Sequence, residues 1–261
     1  MNSMQDEKIA LLVSPTHRAQ EAAQVIRNDH DWVDMAEADR AIVLGGDGFM
    51  LQVLHQMIDK GRIIPVYGMN LGTVGFLMNL WDGSKNLFDC LNKAKPFDVV
   101  PLRTEVTTMS GERRVFSAIN EVSLLRETRQ TAKLEVIVNG MTKIPELACD
   151  GVLVATPAGS TAYNLSANGP ILPLGSSMLA LTPISPFRPR RWKGAILADT
   201  AKIGFRVREG QKRPVLAVAD QKELRDVSEI QVEIDPSKRL TLLFDPNHSL
   251  DERIAMEQFL V

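Results

Sequence analysis

Gly45-Gly46-Asp47-Gly48 sets one carboxylate among three glycines, directly after the apolar run Ala41-Ile42-Val43-Leu44 and directly before Phe49-Met50-Leu51-Gln52-Val53-Leu54. The four apolar residues read as a buried strand, and the apolar spacing after Gly48 reads as an amphipathic helix, so an acidic turn joins a strand to a helix start. Unpaired backbone N–H groups and the positive end of the helix dipole suit a phosphate there, and glycine lets the backbone approach it closely. Asp47 opposes that anion unless it takes a proton or faces a cation; the plainer alternative is that it N-caps the helix.

A second stretch, Asp150 to Pro170, runs a strand into small, hydroxylated and glycine residues with one aromatic, Tyr163. Neutral donors and acceptors, close backbone approach and one flat ring suit a ribose and base better than a free phosphate, although turn-formers of this kind also make ordinary surface loops. Tyr163 either stacks on a base or fills an interface between domains. Asn120-Glu121 stands between two apolar runs, and such a pair is either solvated or offered to ribose hydroxyls.

His17, His30, His55 and His248 show no metal spacing, which argues against a structural zinc. His55, on the helix after Asp47, faces a phosphate or lies on a solvated face. Arg188, Arg190, Arg191 and Lys193 form the basic cluster, which meets phosphates, another subunit or only water. Neither the dinucleotide G-x-G-x-x-G nor the P-loop motif occurs.

The elements that must position these residues fall into two textures. Lys8–Ser14, Asp39–Leu44 and Ile63–Gly68 read as strands alternating with helices over Arg18–Asn28 and Phe49–Lys60, which calls for a parallel sheet covered on both faces. Trp81–Lys93 reads as a further helix capped by Asp82. From Val99 to about Leu243 the pattern becomes short β-branched runs with turns at Ser110-Gly111-Glu112 and Asn139-Gly140. Met178–Ile184 fits a core strand or an interface equally well. Ser249-Leu250-Asp251-Glu252 is a capping box for a last helix, whose natural place is against the first domain. The expected domains are therefore 1–97, an α/β domain; 98–243, a mainly β domain; and 244–261, a segment packing on the first.

The chain of 261 residues, 44% hydrophobic and 24% charged, is long enough for two modest cores and has an ordinary globular composition. A formal charge of -2 gives no electrostatic case for nucleic acid or an anionic membrane, so local groups must hold any anionic ligand. Cys90 and Cys149 make no C-x-x-C pair and read as small buried hydrophobes. No secretory signal and no apolar run near the ~20 residues of a bilayer span is visible, so a soluble cytoplasmic protein is expected.

Taken in order, G-G-D-G at 45–48, N-x-G-x-x-G-F-L at 70–77, Asn120-Glu121, and D-G-x-x-x-x-T-P-x-G-S-T-A-Y from Asp150 to Tyr163 resemble the bacterial NAD kinases over nearly the whole chain. G-G-D-G alone is shared with diacylglycerol- and sphingosine-type lipid kinases and with 6-phosphofructokinases; G-S-T-A-Y separates the NAD kinases from these. The resemblance implies transfer of the terminal phosphoryl group of ATP, with a divalent cation such as magnesium, to the 2′-hydroxyl of the adenosine ribose of NAD, giving NADP. It makes Asp47 the proton acceptor, and Gly45, Gly46 and Gly48 the phosphate-approaching turn. Asn120 and Glu121 would hold NAD, and Asp150, Thr161, Ala162, Tyr163, Asn164, Leu165 and Ser166 match positions around its nicotinamide and adenine ends. Asn70, Ala158 and Gln221 complete the cofactor-binding set; no metal ligand is assigned. It further implies a two-domain α+β protein, a Rossmann-like α/β domain followed by an all-β, sandwich-like domain, assembled as a homodimer or homotetramer.

An aspartate of reference pKa about 3.9 is a poor base for an alcohol, but a loose phosphoryl-transfer transition state needs little activation of its nucleophile, so Asp47 would orient the hydroxyl and accept its proton late. A sensor that binds NAD or NADP without turnover is the rival reading from another class, and a lipid kinase the rival enzyme. Two departures from the family pattern bear on local turns. Asn168 stands where a glycine is common, and Ala219-Asp220-Gln221 where many relatives carry Asp-Gly-Gln.

Overall fold

The computed structural model describes residues 7–72, 75–81, 86–190 and 192–246. Residues up to Val99 together with those from Lys238 form one compact unit, and Val100–Ser237 form another.

In the first unit, β1 (Ile9–Val13), α1 (His17–Ile26), β2 (Arg40–Gly45), α2 (Asp47–Lys60) and β3 (Val66–Asn70) alternate, followed by β4 (Asn79–Leu80), α3 (Leu87–Lys93) and β5 (Lys95–Val99). The strands β1, β2 and β3 pair in parallel, with Ile42 opposite both Leu11 and Tyr67. Every residue of β3 and all but the first of β2 are buried, as a sheet covered on both faces requires. Parallel pairing aligns the carboxyl ends of β2 and β3, with Gly45 opposite Asn70, so the two glycine-punctuated turns emerge side by side. Gly61 ends α2 in the left-handed conformation at φ 67, its N–H returning to the Ile58 carbonyl.

Four expectations shift here. The helix α2 begins at Asp47 rather than Phe49, and α3 covers only Leu87–Lys93. Its cap is Asn86, whose side chain accepts from the Phe88 and Asp89 N–H groups; Asp82, the expected cap, lies outside the described residues. His55 is buried on α2 at 9% exposure, which sets aside the solvated-face reading.

The second unit comprises β6 (Leu102–Thr108), β7 (Arg113–Ala118), β8 (Glu121–Arg126), β9 (Ala132–Val138), β10 (Met141–Cys149), β11 (Gly151–Ala155), α4 (Tyr163–Ser166), β12 (Met178–Ile184), β13 (Ala195–Ala198), β14 (Ile203–Val207), β15 (Val215–Ala219), β16 (Lys222–Leu224) and β17 (Val227–Ile234). They form two antiparallel sheets, ordered β10-β9-β14-β17-β6-β7 and β13-β12-β11-β8-β15-β16. One apolar cluster joins residues of both, Val106, Val136 and Phe205 from the first with Val122, Val152 and Leu181 from the second, which is the core of a sandwich. The β9–β10 hairpin turns on Asn139 and Gly140, both at positive φ, as the Asn-Gly signal predicts.

The run Val152-Leu153-Val154-Ala155 is buried throughout because β11 has two covered faces. Val152 and Val154 enter the sandwich core, while Leu153 and Ala155 pack with Leu172 and Ala180. Met178–Ile184 is a core strand, buried from Leu179 to Pro183. Cys149 is fully buried, which pushes its thiol up to about 12; Cys90 is only half-buried.

The strand β18 (Leu240–Phe244), which texture assigned to the second domain, pairs instead in the first sheet, parallel to β3 and antiparallel to β5. Buried polar groups fix its end: Tyr67 Oη donates to Asp245 Oδ1 at 2.8 Å, and Asn79 Nδ2 donates to the Leu243 carbonyl at 2.9 Å. The expected final helix, with its Ser249–Glu252 capping box, lies outside the described residues.

Candidate active site

Asp47 is the first helical residue of α2, and the N-cap position belongs to Gly46, which has no side chain with which to cap. The Asp47 carboxylate reaches to the loop after β3. There Oδ2 accepts from the Phe76 N–H at 2.6 Å and Oδ1 from the Leu77 N–H at 3.1 Å. The capping alternative therefore gives way to a bridge between two loops at the carboxyl ends of adjacent parallel strands. Charge-assisted bonds of this kind are among the stronger ones in proteins, and they fix both oxygens. Asn70 closes the loop's first turn, Oδ1 accepting from the Gly72 N–H at 2.9 Å.

The four glycines here have different reasons to be glycine. A Cβ on Gly75 would lie 2.6 Å from Asp47 Oδ1, so that residue makes room for the carboxylate; its signal was present in N-x-G-x-x-G but its role was not readable. A Cβ on Gly45 would meet Ser14 at 3.0 Å, so Gly45 serves packing inside the unit rather than ligand approach. Gly46 and Gly48 would meet nothing within 4 Å, and their open backbone is what remains available to a ligand.

In the second unit, Asn120 and Glu121 form the turn into β8. Its carbonyl side is held by Thr156, whose hydroxyl donates to the Ile119 carbonyl at 2.7 Å and accepts from the Gly159 N–H at 3.1 Å. Its amide side is held by Asp220, which accepts from the N–H groups of Ile119 at 2.6 Å, Asn120 at 3.0 Å and Glu121 at 3.1 Å. The side-chain oxygens Asn120 Oδ1 and Glu121 Oε2 are buried and have no hydrogen-bond partner among the described residues. Burial first, then the Asp220 charge, pushes the Glu121 carboxyl up to about 7, against the Tyr163 backbone N–H that favours its charged form.

The segment after β11 departs from an even row of ligand contacts. Asn164 is fully buried and its amide is used internally: Nδ2 donates to the carbonyls of Ser160 and Pro170, and Oδ1 accepts from the Thr182 hydroxyl at 2.7 Å. Its side chain thus shapes the segment and is not offered to a ligand. Ala158 is buried, while Thr161, Ala162 and Leu165 are half-buried. Tyr163 and Ser166 are exposed, and the Tyr163 phenol is held above its usual range by partial burial and by the Glu121 and Asp150 charges. Asp150 is paired with Arg126, Nε to Oδ1 at 2.6 Å. Gln221 is exposed at the tip between β15 and β16.

Both departures from the family pattern sit in left-handed backbone, Asn168 at φ 59 and Asp220 at φ 51. Asparagine and aspartate are the residues after glycine that tolerate it best, so both turns form. In the basic cluster, the Arg188 and Arg190 guanidinium groups lie 5.6 and 5.3 Å from the Phe187 ring centroid; Arg191 lies outside the described residues. Sequence reasoning did not find the work of Asp220, Thr156, Gly159 or Gly75. Thr156 and Gly159 stood inside T-P-x-G as the available signal, whereas nothing local announced that Asp220 reaches a turn about a hundred residues earlier.

Residues 1–94 match the family model described as the ATP-NAD kinase N-terminal domain, and residues 119–245 match the ATP-NAD kinase C-terminal domain. The chain is similar to the NAD kinase of Rhizorhabdus wittichii, 62% identical over 99% of this chain and 100% of that protein. It is also similar to the NAD kinase of Zymomonas mobilis, 59% identical over 98% and 99%. The fold resembles that of an NAD kinase from Archaeoglobus fulgidus solved in complex with ATP, at TM-score 0.77 and 23% identity over 97% of this chain and 99% of that one. Yeast NADH kinase complexed with NADH superposes at TM-score 0.76 and 21% identity, covering 97% and 87%.

Proposed function

The chain belongs to the NAD kinase family and phosphorylates NAD to NADP with ATP, and from that premise we propose how its residues divide the work. Asn120 and Glu121 hold the NAD ribose, and the observation that carries this reading is their pair of buried oxygens without partners. An unpaired buried acceptor costs free energy, and sugar hydroxyls supply the donors that remove the cost. Tyr163, Ser166 and Thr161 offer an exposed ring, a hydroxyl and a half-buried hydroxyl to the remainder of the dinucleotide. Asp150, Ala158, Ala162, Leu165 and Gln221 belong to the same binding set, while Asn164 acts by holding it in shape.

Asp47 is the proton acceptor. Its two amide hydrogen bonds orient the carboxylate before substrate arrives, so the 2′-hydroxyl can donate to it and lose its proton as the hydroxyl oxygen bonds the γ-phosphorus and the bond from that phosphorus to the leaving ADP oxygen breaks. Gly46, Gly48 and the α2 N-terminus receive phosphate oxygens, with Asn70 ordering the facing loop. Among the described residues no three His, Cys, Asp or Glu side chains gather to hold a metal ion. A divalent cation would be held through the oxygens of the ATP phosphates, the hard ligands it prefers, and would supply neutralisation of their charge.

Family membership also supports a cytoplasmic homodimer or homotetramer, and light scattering tests the assembly. No helix among the described residues is long and apolar enough to cross a membrane. The enzymatic test is NADP formation from NAD, ATP and magnesium, read through an NADP-specific dehydrogenase with Asp47→Asn alongside. Product from the wild type and little from the variant supports the assignment. NAD binding without product from either would return the chain to the sensor reading.

A further inference from the structure

The turn that carries Asn120 and Glu121 is held along both edges of its backbone, while an oxygen of each of the two side chains is left without a partner. Thr156 serves the carbonyls of Ile119 and Asn120, and Gly159 approaches so closely that a Cβ there would lie 2.1 Å from the Asn120 carbonyl oxygen. The opposite edge depends on one residue. Asp220 accepts from three consecutive N–H groups, and its own N–H returns to the Glu121 carbonyl at 3.1 Å. It can do so because β15 pairs with β8, Ala219 opposite Val122, and because the chain turns at Asp220 in left-handed backbone.

We propose that Asp220 is a positioning residue for NAD: its carboxylate, spread over the amides of Ile119, Asn120 and Glu121, sets the turn that presents both NAD-holding side chains. The proposal rests on the reading of Asn120 and Glu121 given above. Asp220 acts through the turn, and its negative charge also acts on Glu121. The groups facing Glu121 are Asp220 from the β15–β16 hairpin and Tyr163 from α4, with the Asp150 charge reaching the same phenol. Burial and the Asp220 charge push Glu121 up to about 7, so its ionised, hydroxyl-accepting form is lost as the pH falls below neutrality.

Two substitutions separate geometry from charge. Asp220→Gly keeps the left-handed backbone accessible and removes the carboxylate, whereas Asp220→Asn removes the charge and keeps one acceptor oxygen, able to serve the Asn120 and Glu121 N–H groups, at the loss of the bond from Ile119. With Asp220→Gly the KM for NAD is expected to rise about tenfold and kcat to fall less than about twofold, with Asp220→Asn recovering most of the loss at pH 8. In the wild type the KM for NAD is expected to rise about tenfold from pH 8 to pH 6, as a carboxyl near 7 requires, and to rise less in Asp220→Asn. An unchanged KM in Asp220→Gly, or superimposable pH profiles for wild type and Asp220→Asn, overturns the proposal. Asn120→Ala measured in parallel keeps the two readings apart. If it too leaves the KM for NAD unchanged, the assignment of the pair has failed; if only the Asp220 variants are silent, the pair stands and the positioning role falls.

Discussion

Asp47 stands at the first position of α2, yet its carboxylate is directed to the amides of Phe76 and Leu77 rather than to its own helix. In Asp47→Asn the new NH2 group must face one of those two N–H donors, so one loop hydrogen bond is lost along with the carboxylate proposed as proton acceptor. We expect kcat to fall by roughly 10²- to 10⁴-fold while NAD still binds, with stability lower by about 1–3 kcal/mol. Steady-state kinetics, NAD titration and a melting curve read the three separately, and near-normal turnover would remove the role. Asn120→Ala should behave in the opposite way, because Asn120 Oδ1 has no partner to lose. The unfolding midpoint should hold or rise, while the KM for NAD rises more than that for ATP. Glu121 adds a pH dependence. Its folded-state value near 7 lies above the usual carboxyl range, so the folded protein binds the extra proton and the group's contribution is present at low pH and lost as the pH rises through about 7. Up to about 3 kcal/mol of ligand-free stability is at stake across that window. Glu121→Gln should flatten the urea-midpoint profile between about pH 5 and 8, and an unaltered slope would locate the effect elsewhere.

At the scale of elements, the Asn120–Glu121 turn is shared among segments distant in the chain: the loop into β8, the T-P-x-G segment after β11, and the β15–β16 tip. Gly159→Ala tests how tightly they are joined. A Cβ 2.1 Å from the Asn120 carbonyl oxygen meets backbone, which cannot swing aside as a flexible side chain would. The KM for NAD should rise at least about tenfold with a loss of stability of about 1–3 kcal/mol, whereas an unperturbed melt and KM would show that the segments are loosely coupled. The strand–turn–helix around Gly45–Gly48 was legible in sequence because its signals are local: a continuous apolar run, a break of glycines and a helical spacing. Asn164 entered the binding set through the resemblance alone, and nothing near it in sequence announces that its amide bonds to Ser160, Pro170 and Thr182.

For the whole molecule, the two units differ in how the chain builds them. Val100–Ser237 is continuous and contains both sheets of its sandwich with their shared core, whereas the first unit needs β18 to occupy the place between β3 and β5. A fragment of residues 100–237 should therefore give a cooperative melt and dispersed amide spectra by itself. A fragment ending at residue 99 should not, and should recover only when a segment containing Leu240–Phe244 is restored; a folded 1–99 fragment would show β18 to be dispensable. The sequence alone determined the family, the two textures, the strand–turn–helix around Gly45–Gly48 and the Asn-Gly hairpin, because each is written in residue types over a few adjacent positions. Only tertiary structure decided that β18 joins the first sheet, that Asp47 bridges two loops, that Gly75 makes room for it, and that Asp220 clamps Asn120 and Glu121. Those facts depend on which strands lie side by side and on backbone N–H groups that every residue except proline carries, so no residue type in the sequence marks them.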